Sequence, residues 1–457
     1  MINNNTNVLS GKPEKVIINL AIPILIYLFI SNSYNIIDGM WITGIGKAAI
    51  AGVGAIMPLY NAVIGIGMGI GTGATSTISY FIGLNNKENA DNTAVNAFIL
   101  LIIISIITSI ILILSLRYYL NTFNIDNNAF NQAMIYGIPL FLNSITFILV
   151  GGITGILRGE GETKKPMIAS SIGLILDAIL DPILIYTLGM GIMGAAISTV
   201  ITSIISLLIL FYWIFIKKNT YLNFSLKSFK FNFPIIKKIL NVGIPASIEL
   251  LTMTLATTCY LWFVSSIGGN QATAIFTAGN KLYYLGMMPI SATCMALVPV
   301  VGNAFGEHDY DKIKKSFHFA CKIAFILGIL VMLCIFIFAE PLSFIFAYTV
   351  ETSDLLDGLV EFLRITILTI PFLGIGLPST FLYQGLSKGF QSLAWTLFRE
   401  VLSSVFFIYL FGFYFSLGLI GIWIGLFVGR TIANILNYIF AKYTLVIYKR
   451  PKKKIFN

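Results

Sequence analysis

Apolar positions in this chain do not alternate. They run in blocks of roughly twenty residues or more, the length an α-helix needs to cross hydrocarbon. Twelve blocks stand out, near 16–42, 48–83, 91–116, 128–155, 166–188, 192–216, 234–265, 272–305, 316–338, 355–383, 391–415 and 419–446. Short polar stretches such as Gly83-Leu-Asn-Asn-Lys87 separate them. The pattern predicts an all-α membrane protein of twelve transmembrane helices, some long enough to tilt or to extend beyond the bilayer. The start, Met1-Ile-Asn-Asn-Asn5, carries no basic residue, and the first block is too long for the core of a signal peptide. It is expected to remain as the first span.

Composition agrees with this picture. Of 457 residues 57% are hydrophobic and 11% charged, and the mean hydropathy is +0.89, outside the range of soluble domains. The net charge of +10 would fit a nucleic-acid binder, but its placement does not. Of the 29 Lys and Arg, 23 fall at the N-terminus, in the even-to-odd loops or at the C-terminal end. Among them are Lys87, Arg158, Lys164, Lys165, six from Lys217 to Lys238, and the tail Lys449-Arg-Pro-Lys-Lys-Lys454. The opposite loops hold only Lys47 and Arg117. This asymmetry places both termini in the cytoplasm of a multi-pass protein of the cell (inner) membrane. The basic tail also suits contact with anionic lipid. Cys259, Cys294, Cys321 and Cys334 lie in apolar surroundings without redox or metal spacing and read as packing residues.

The halves resemble each other. Leu20-Ala-Ile-Pro-Ile24 matches Val242-Gly-Ile-Pro-Ala246, Gly83-Leu-Asn-Asn-Lys87 matches Gly306-Glu-His-Asp-Tyr310, and Arg158-Gly159 matches Gln384-Gly385, at offsets of 222 to 226. Both halves enter the membrane in the same direction, so two pseudo-symmetric six-helix bundles form a parallel repeat, and such repeats place substrate between lobes. The polar stretch Lys217 to Lys238 is the expected linker, giving an N-lobe of 1–222 and a C-lobe of 223–457.

Three acids lie deep within the apolar blocks of the first half. Asp38 is the only charge between Val16 and Ile42, and Asp177 and Asp181 sit four residues apart in span five. Each costs about 2.5–3.5 kcal/mol at bilayer depth on insertion scales, so intramembrane acids are functional by default. The spacing puts Asp177 and Asp181 on one helix face. Pro182 disturbs the backbone bond to the Ala178 carbonyl and frees an oxygen there. Carboxylates, a carbonyl and a hydroxyl together suit a proton or a hard cation. The plainer alternatives are a neutral acid at a kink and, for Asp38 with Tyr34, Asn35 and Asn32 nearby, a polar seam between helices. The C-lobe positions matching Asp38 and Asp181 are Tyr260 or Leu261 and about Ile408, so the ion site is expected in the N-lobe alone.

Gly65, Gly69 and Gly73 form a stripe in span two; without a following Lys-Ser/Thr it reads as close helix packing rather than a phosphate loop. Glu249 in span seven reads either as a second ion-binding acid or as a partner of Lys281. His308 and His318 carry no metal motif.

The chain resembles the MATE family (multidrug and toxic compound extrusion) over essentially its whole length. The residues that carry this are Asn35-Ile-Ile-Asp-Gly39, Leu157-Arg-Gly-Glu-Gly-Glu-Thr-Lys-Lys-Pro166, Leu180-Asp-Pro-Ile-Leu-Ile185, Gly194-Ala-Ala-Ile-Ser-Thr199 and Phe398-Arg-Glu400. The match is best to the prokaryotic branch with its coupling acids in the N-lobe. The resemblance implies an outward-facing, V-shaped pair of bundles that exports cationic or amphipathic molecules against inward H+ or Na+. It implies a cation site of Asp38, Asp177, Asp181 and Thr199, with Na+ as the metal if one binds, and substrate contacts from Tyr34, Asn35, Tyr136 and Thr154. Asp177 departs from the pattern, being commonly Asn in relatives.

The expectation is therefore a monomeric multidrug antiporter of small organic cations, with no cofactor beyond the coupling ion and no nucleic-acid partner. An enzyme is not expected, because no nucleophile, metal-ligand set or nucleotide loop accompanies the acids. The alternative is a flippase of lipids or lipid-linked saccharides, whose polyanionic substrates call for more Lys and Arg than these spans contain.

Overall fold

The computed structural model describes residues 7–123, 125–224, 230–348 and 353–449. The polar start at Met1–Asn5, Lys227 of the linker and Arg450–Lys454 of the basic tail lie outside the described residues. The described chain is helical throughout, with no strand. Its main helices are α1 (Pro13–Thr43), α2 (Lys47–Gly83), α3 (Lys87–Leu120), α4 (Asn127–Leu142), α5 (Ser144–Gly159), α6 (Lys164–Pro182) and α7 (Ile192–Phe211). Then follow α8 (Phe233–Gly306), α9 (Tyr310–Ile337), α10 (Ser353–Gly385), α11 (Gly389–Tyr414) and α12 (Gly418–Lys449).

Ten helical stretches among these residues are long and apolar enough to cross a membrane, and α4 with α5 forms an eleventh, bent by 50° at Asn143. The 74 residues of α8 would extend about 110 Å if straight. They do not run straight, because Gly269 takes φ 58°, ψ −144° inside the helix. α8 is thus the pair of spans expected at 234–265 and 272–305, which brings the crossings to twelve.

Polar loop residues start the helices. Asn86, Asp126 and Asp309 accept the backbone N–H of Asn89, Ala129 and Lys312 at 3.0, 2.6 and 2.8 Å, satisfying donors that a helix start leaves open. The repeat is also written in the backbone. Gly46, Asn85, Gly161, Gly189 and Gly191 have positive φ, and so do Gly269, His308, Ser387, Ser416 and Gly418, which lie 223 to 227 residues further on.

The chain packs as two compact units. One contains Ile22–Leu251 and the other contains Gly11–Ala21 with the described residues from Thr252. The division falls inside α8 rather than in the linker, because the glycine stripe of α2 draws the start of α8 against it. A Cβ on Gly73 would lie 2.1 Å from the Ile239 carbonyl oxygen, and one on Gly69 2.5 Å from the Ser247 nitrogen. Gly67 and Gly71, offset by two residues, face α5 instead, where a Cβ on either would lie within 3 Å of a backbone carbonyl oxygen. Small residues let these backbones meet, as in membrane helix packing generally.

The first unit is filled by aliphatic side chains such as Ile56, Ile78, Leu101, Ile148 and Ile153. The second is keyed by aromatic rings: Phe362 meets Trp423 edge-on at 4.7 Å, and Phe276 stacks on Trp423 at 6.0 Å. Cys294 and Cys321 are buried there as expected, but Cys334 lies exposed on the outside of α9.

Candidate functional site

The site lies wholly within the first unit, where α1, α6 and α7 converge. α6 ends at Pro182 and the chain continues as a π-helical turn, Ile183–Thr187, closed by the Leu188 N–H on the Ile183 carbonyl at 2.8 Å. A proline lacks the donor that the regular ladder needs there, and the wider turn absorbs the missing bond. The irregularity begins one residue after Asp181.

Asp181 is fully buried, Asp177 is 2% exposed and Asp38 is 7% exposed. The Ser198 hydroxyl of α7 donates to Asp181 Oδ1. Tyr34, Thr199 and Thr202 line the same cavity as Asp177, and the hydroxyls of Thr199 and Thr202 donate to the backbone carbonyls of Ala195 and Ser198. None of the three acids has a basic partner among the described residues. Asp38 Oδ1, Asp177 Oδ1 and Asp181 Oδ2 are buried and accept no hydrogen bond from the described protein. Buried carboxyl oxygens left this way call for a proton or a cation.

A cavity of about 380 Å³ opens onto this cluster. Asp38, Asp177 and Thr199 line it, and so do Tyr34, Asn35, Tyr136 and Thr154. The structure thus brings every site residue expected in the N-lobe to one cavity, except that Asp181 sits behind the wall, held by Ser198. The three acids do not close around one point: among the described residues no group of three His, Cys, Asp or Glu is arranged to hold a metal ion. Glu249 is buried on α8 but does not line the cavity, and Lys281 is exposed.

Two features escaped the sequence. Arg158, counted there as a loop cation that sets topology, is instead in the last turn of α5 and lines the cavity. The signal was its spacing of four residues from Thr154, which places both on one face. The second feature is Glu400, quoted only as part of a family motif. In the second unit it receives Arg399 Nε on Oε1 at 2.8 Å and Arg430 Nη2 on Oε2 at 3.1 Å, while the Tyr260 hydroxyl donates to its backbone carbonyl. Ile408 is fully buried nearby in sequence. The one acid of α11 is therefore locked between cations, unlike Asp38, Asp177 and Asp181.

A many-span helical bundle with unpaired acids bordering an internal cavity defines a membrane transporter. The MatE family model matches residues 23–183 and 245–410, and the chain belongs to this family of multidrug transporters. It is 27% identical over 346 residues to the probable multidrug resistance protein YoeA of Bacillus subtilis, covering 72% of this chain and 73% of that protein. It is 26% identical over 440 residues to the probable multidrug resistance protein NorM of Thermotoga maritima, covering 93% and 92%. Among solved structures, the outward-facing conformation of a multidrug resistance MATE family transporter superposes with a TM-score of 0.96 at 32% identity, covering 98% of this chain and all of that one.

Proposed function

We propose that the protein exports cationic and amphipathic organic molecules by antiport with H+ or Na+, with Asp38, Asp177, Asp181 and Thr199 as the coupling site. It acts as a monomer in the cell (inner) membrane with both termini cytoplasmic. The observation that carries this reading is the set of unpartnered, buried carboxyl oxygens at the cavity wall. With the coupling ion absent, like charges repel in a poorly screened setting, and the cavity offers a cationic substrate two carboxylates, Asp38 and Asp177. Loading a proton or Na+ lowers the negative charge of the cluster and weakens that attraction. Substrate and ion therefore compete for the same negative charge, and the differential affinity needed to couple their fluxes follows. Tyr34, Asn35, Tyr136 and Thr154 supply the aromatic and polar wall for the rest of the substrate.

The flippase reading fits this cavity poorly. Among the described residues its only basic lining side chain is Arg158, set against Asp38, Asp177 and Glu162.

The decisive measurement is efflux of a fluorescent organic cation from proteoliposomes under an imposed pH gradient, and separately under a sodium gradient. One gradient should drive transport in the wild type and neither in Asp38→Asn or Asp181→Asn. Gradient-driven efflux that persists in those variants would remove the acids from the mechanism.

A further inference from the structure

The cavity of the first unit is long, and its ends differ in charge. Tyr27 and Asp38 line it from α1, and Pro166 and Asp177 line it from α6. Each pair is eleven residues apart, about 16 Å along a helix axis. Asp38 and Asp177 mark one end. At the other, Arg158 in the last turn of α5 lines the cavity together with Tyr27, Glu162 and Pro166. Glu162 lines the same end but its carboxylate is engaged: Lys165 Nζ approaches at 3.1 Å, and the backbone N–H groups of Lys164 and Lys165 donate to it at 3.0 and 3.3 Å. Among the described residues no ion pair holds Arg158. Its guanidinium keeps its charge and presents a rigid fork of donors that matches carboxylate or phosphate.

We propose that Arg158 is a subsite for an anionic group, so that the cavity accepts elongated zwitterions. The cationic end meets Asp38 and Asp177, and a carboxylate or phosphate at the far end meets Arg158. The inference rests on the reading of Asp38 and Asp177 as the place where the substrate's cationic group binds. If Arg158 served topology alone, an anion at the far end of a ligand would gain nothing.

The test compares 12-aminododecanoate with its methyl ester, which keeps the amine and the length but loses the anion. Binding to the purified full-length protein in amphipol is measured by titration calorimetry. The wild type should bind the acid at least tenfold more tightly than the ester. Arg158→Gln should bring that ratio close to one, and Arg158→Lys should keep part of it. Asp177→Asn should weaken acid and ester alike. 4-Aminobutanoate, too short to reach both ends, should bind the wild type at least tenfold more weakly than 12-aminododecanoate, a comparison that needs no variant to fold. Equal binding of acid and ester by the wild type, or a ratio that survives Arg158→Gln, overturns the proposal. Failure of the antiport reading shows separately, as proteoliposomes that move no cation under either gradient while the binding ratio persists.

Discussion

The Tyr186 hydroxyl donates a hydrogen bond to the backbone carbonyl of Trp41 at 2.6 Å, and the two rings meet edge to face with centroids 6.2 Å apart. Trp41 stands three residues after Asp38 and Tyr186 five after Asp181. The contact therefore clasps the end of α1 to the π-helical turn that follows α6, just beyond the acids each carries. Gly44 leaves room for it, since a Cβ there would lie 2.1 Å from the Tyr186 hydroxyl oxygen. Any rearrangement of α1 against α6 on loading the acids must break this clasp or carry it along.

Tyr186→Phe keeps the ring and removes the bond, a loss of about 1 kcal/mol, or roughly fivefold in a local opening equilibrium. Hydrogen exchange at the last turn of α1 should quicken by about that factor, while exchange in α3 stays as in the wild type. Unchanged exchange at Trp41–Ile45 would show that the clasp does not hold α1.

Asp181 and Glu400 are both buried acids, but only Glu400 has cationic partners. Removing one member of a buried ion pair leaves an uncompensated charge and costs about 3–5 kcal/mol. Asp181→Asn instead replaces a carboxyl that no cation neutralises, and Ser198 can still donate to the amide oxygen. Glu400→Gln should lower the melting temperature by many degrees in scanning fluorimetry, and Asp181→Asn should leave it near the wild-type value. The opposite ranking would contradict both assignments.

Gly155 and Gly71 set the approach of α5 to α2. A Cβ on Gly155 would lie 2.3 Å from the Gly71 carbonyl carbon and oxygen, and the Thr75 hydroxyl donates to the Gly155 carbonyl at 2.6 Å. Backbone cannot yield as a side-chain tip can, so Gly155→Ala should cost more than the 1–3 kcal/mol typical of overpacking. Gly173→Ala meets mainly the Ser206 hydroxyl, at 2.0 Å, which can rotate away. Size-exclusion profiles should show little folded Gly155→Ala protein and a near-normal yield of Gly173→Ala.

The spans were legible because hydrocarbon tolerates no unpaired backbone, so length and apolarity alone mark them. The acids were legible for the same reason: Asp38, Asp177 and Asp181 stand out against oil, and the residues expected around them do face one cavity. The glycine stripe of α2 declared its packing role, though not that its second face, Gly67 and Gly71, meets α5. Arg158 was hidden because a cation at a span end fits topology as well as a cavity wall, and only the three-dimensional path of α5 separates the two. Glu400 was hidden because its partners, Arg399 beside it and Arg430 in α12, become an ion-pair network only when α11 and α12 pack. The break between compact units inside α8 depends on inter-helix contacts that no local composition announces.

Glu160, in the turn after α5, is 2% exposed, and its Oε2 accepts the Leu222 N–H at 2.9 Å. Burial pushes its carboxyl from the ordinary 4.5 up to about 8, with the Leu222 bond and the charge of Lys165 pulling the other way. The folded protein therefore holds a proton that the unfolded chain releases between these two values. For an acid raised in the fold, the contribution to stability is complete below about pH 4.5, falls as the pH climbs toward 8, and stays low above it. Glu160→Gln keeps an acceptor for Leu222 and carries no titrating proton. Its melting temperature should match the wild type near pH 5 and exceed it by a growing margin up to pH 8, levelling off beyond. Scanning fluorimetry of both proteins from pH 5 to pH 9 checks this, and a constant difference across that range would mean that Glu160 ionises freely in the folded chain.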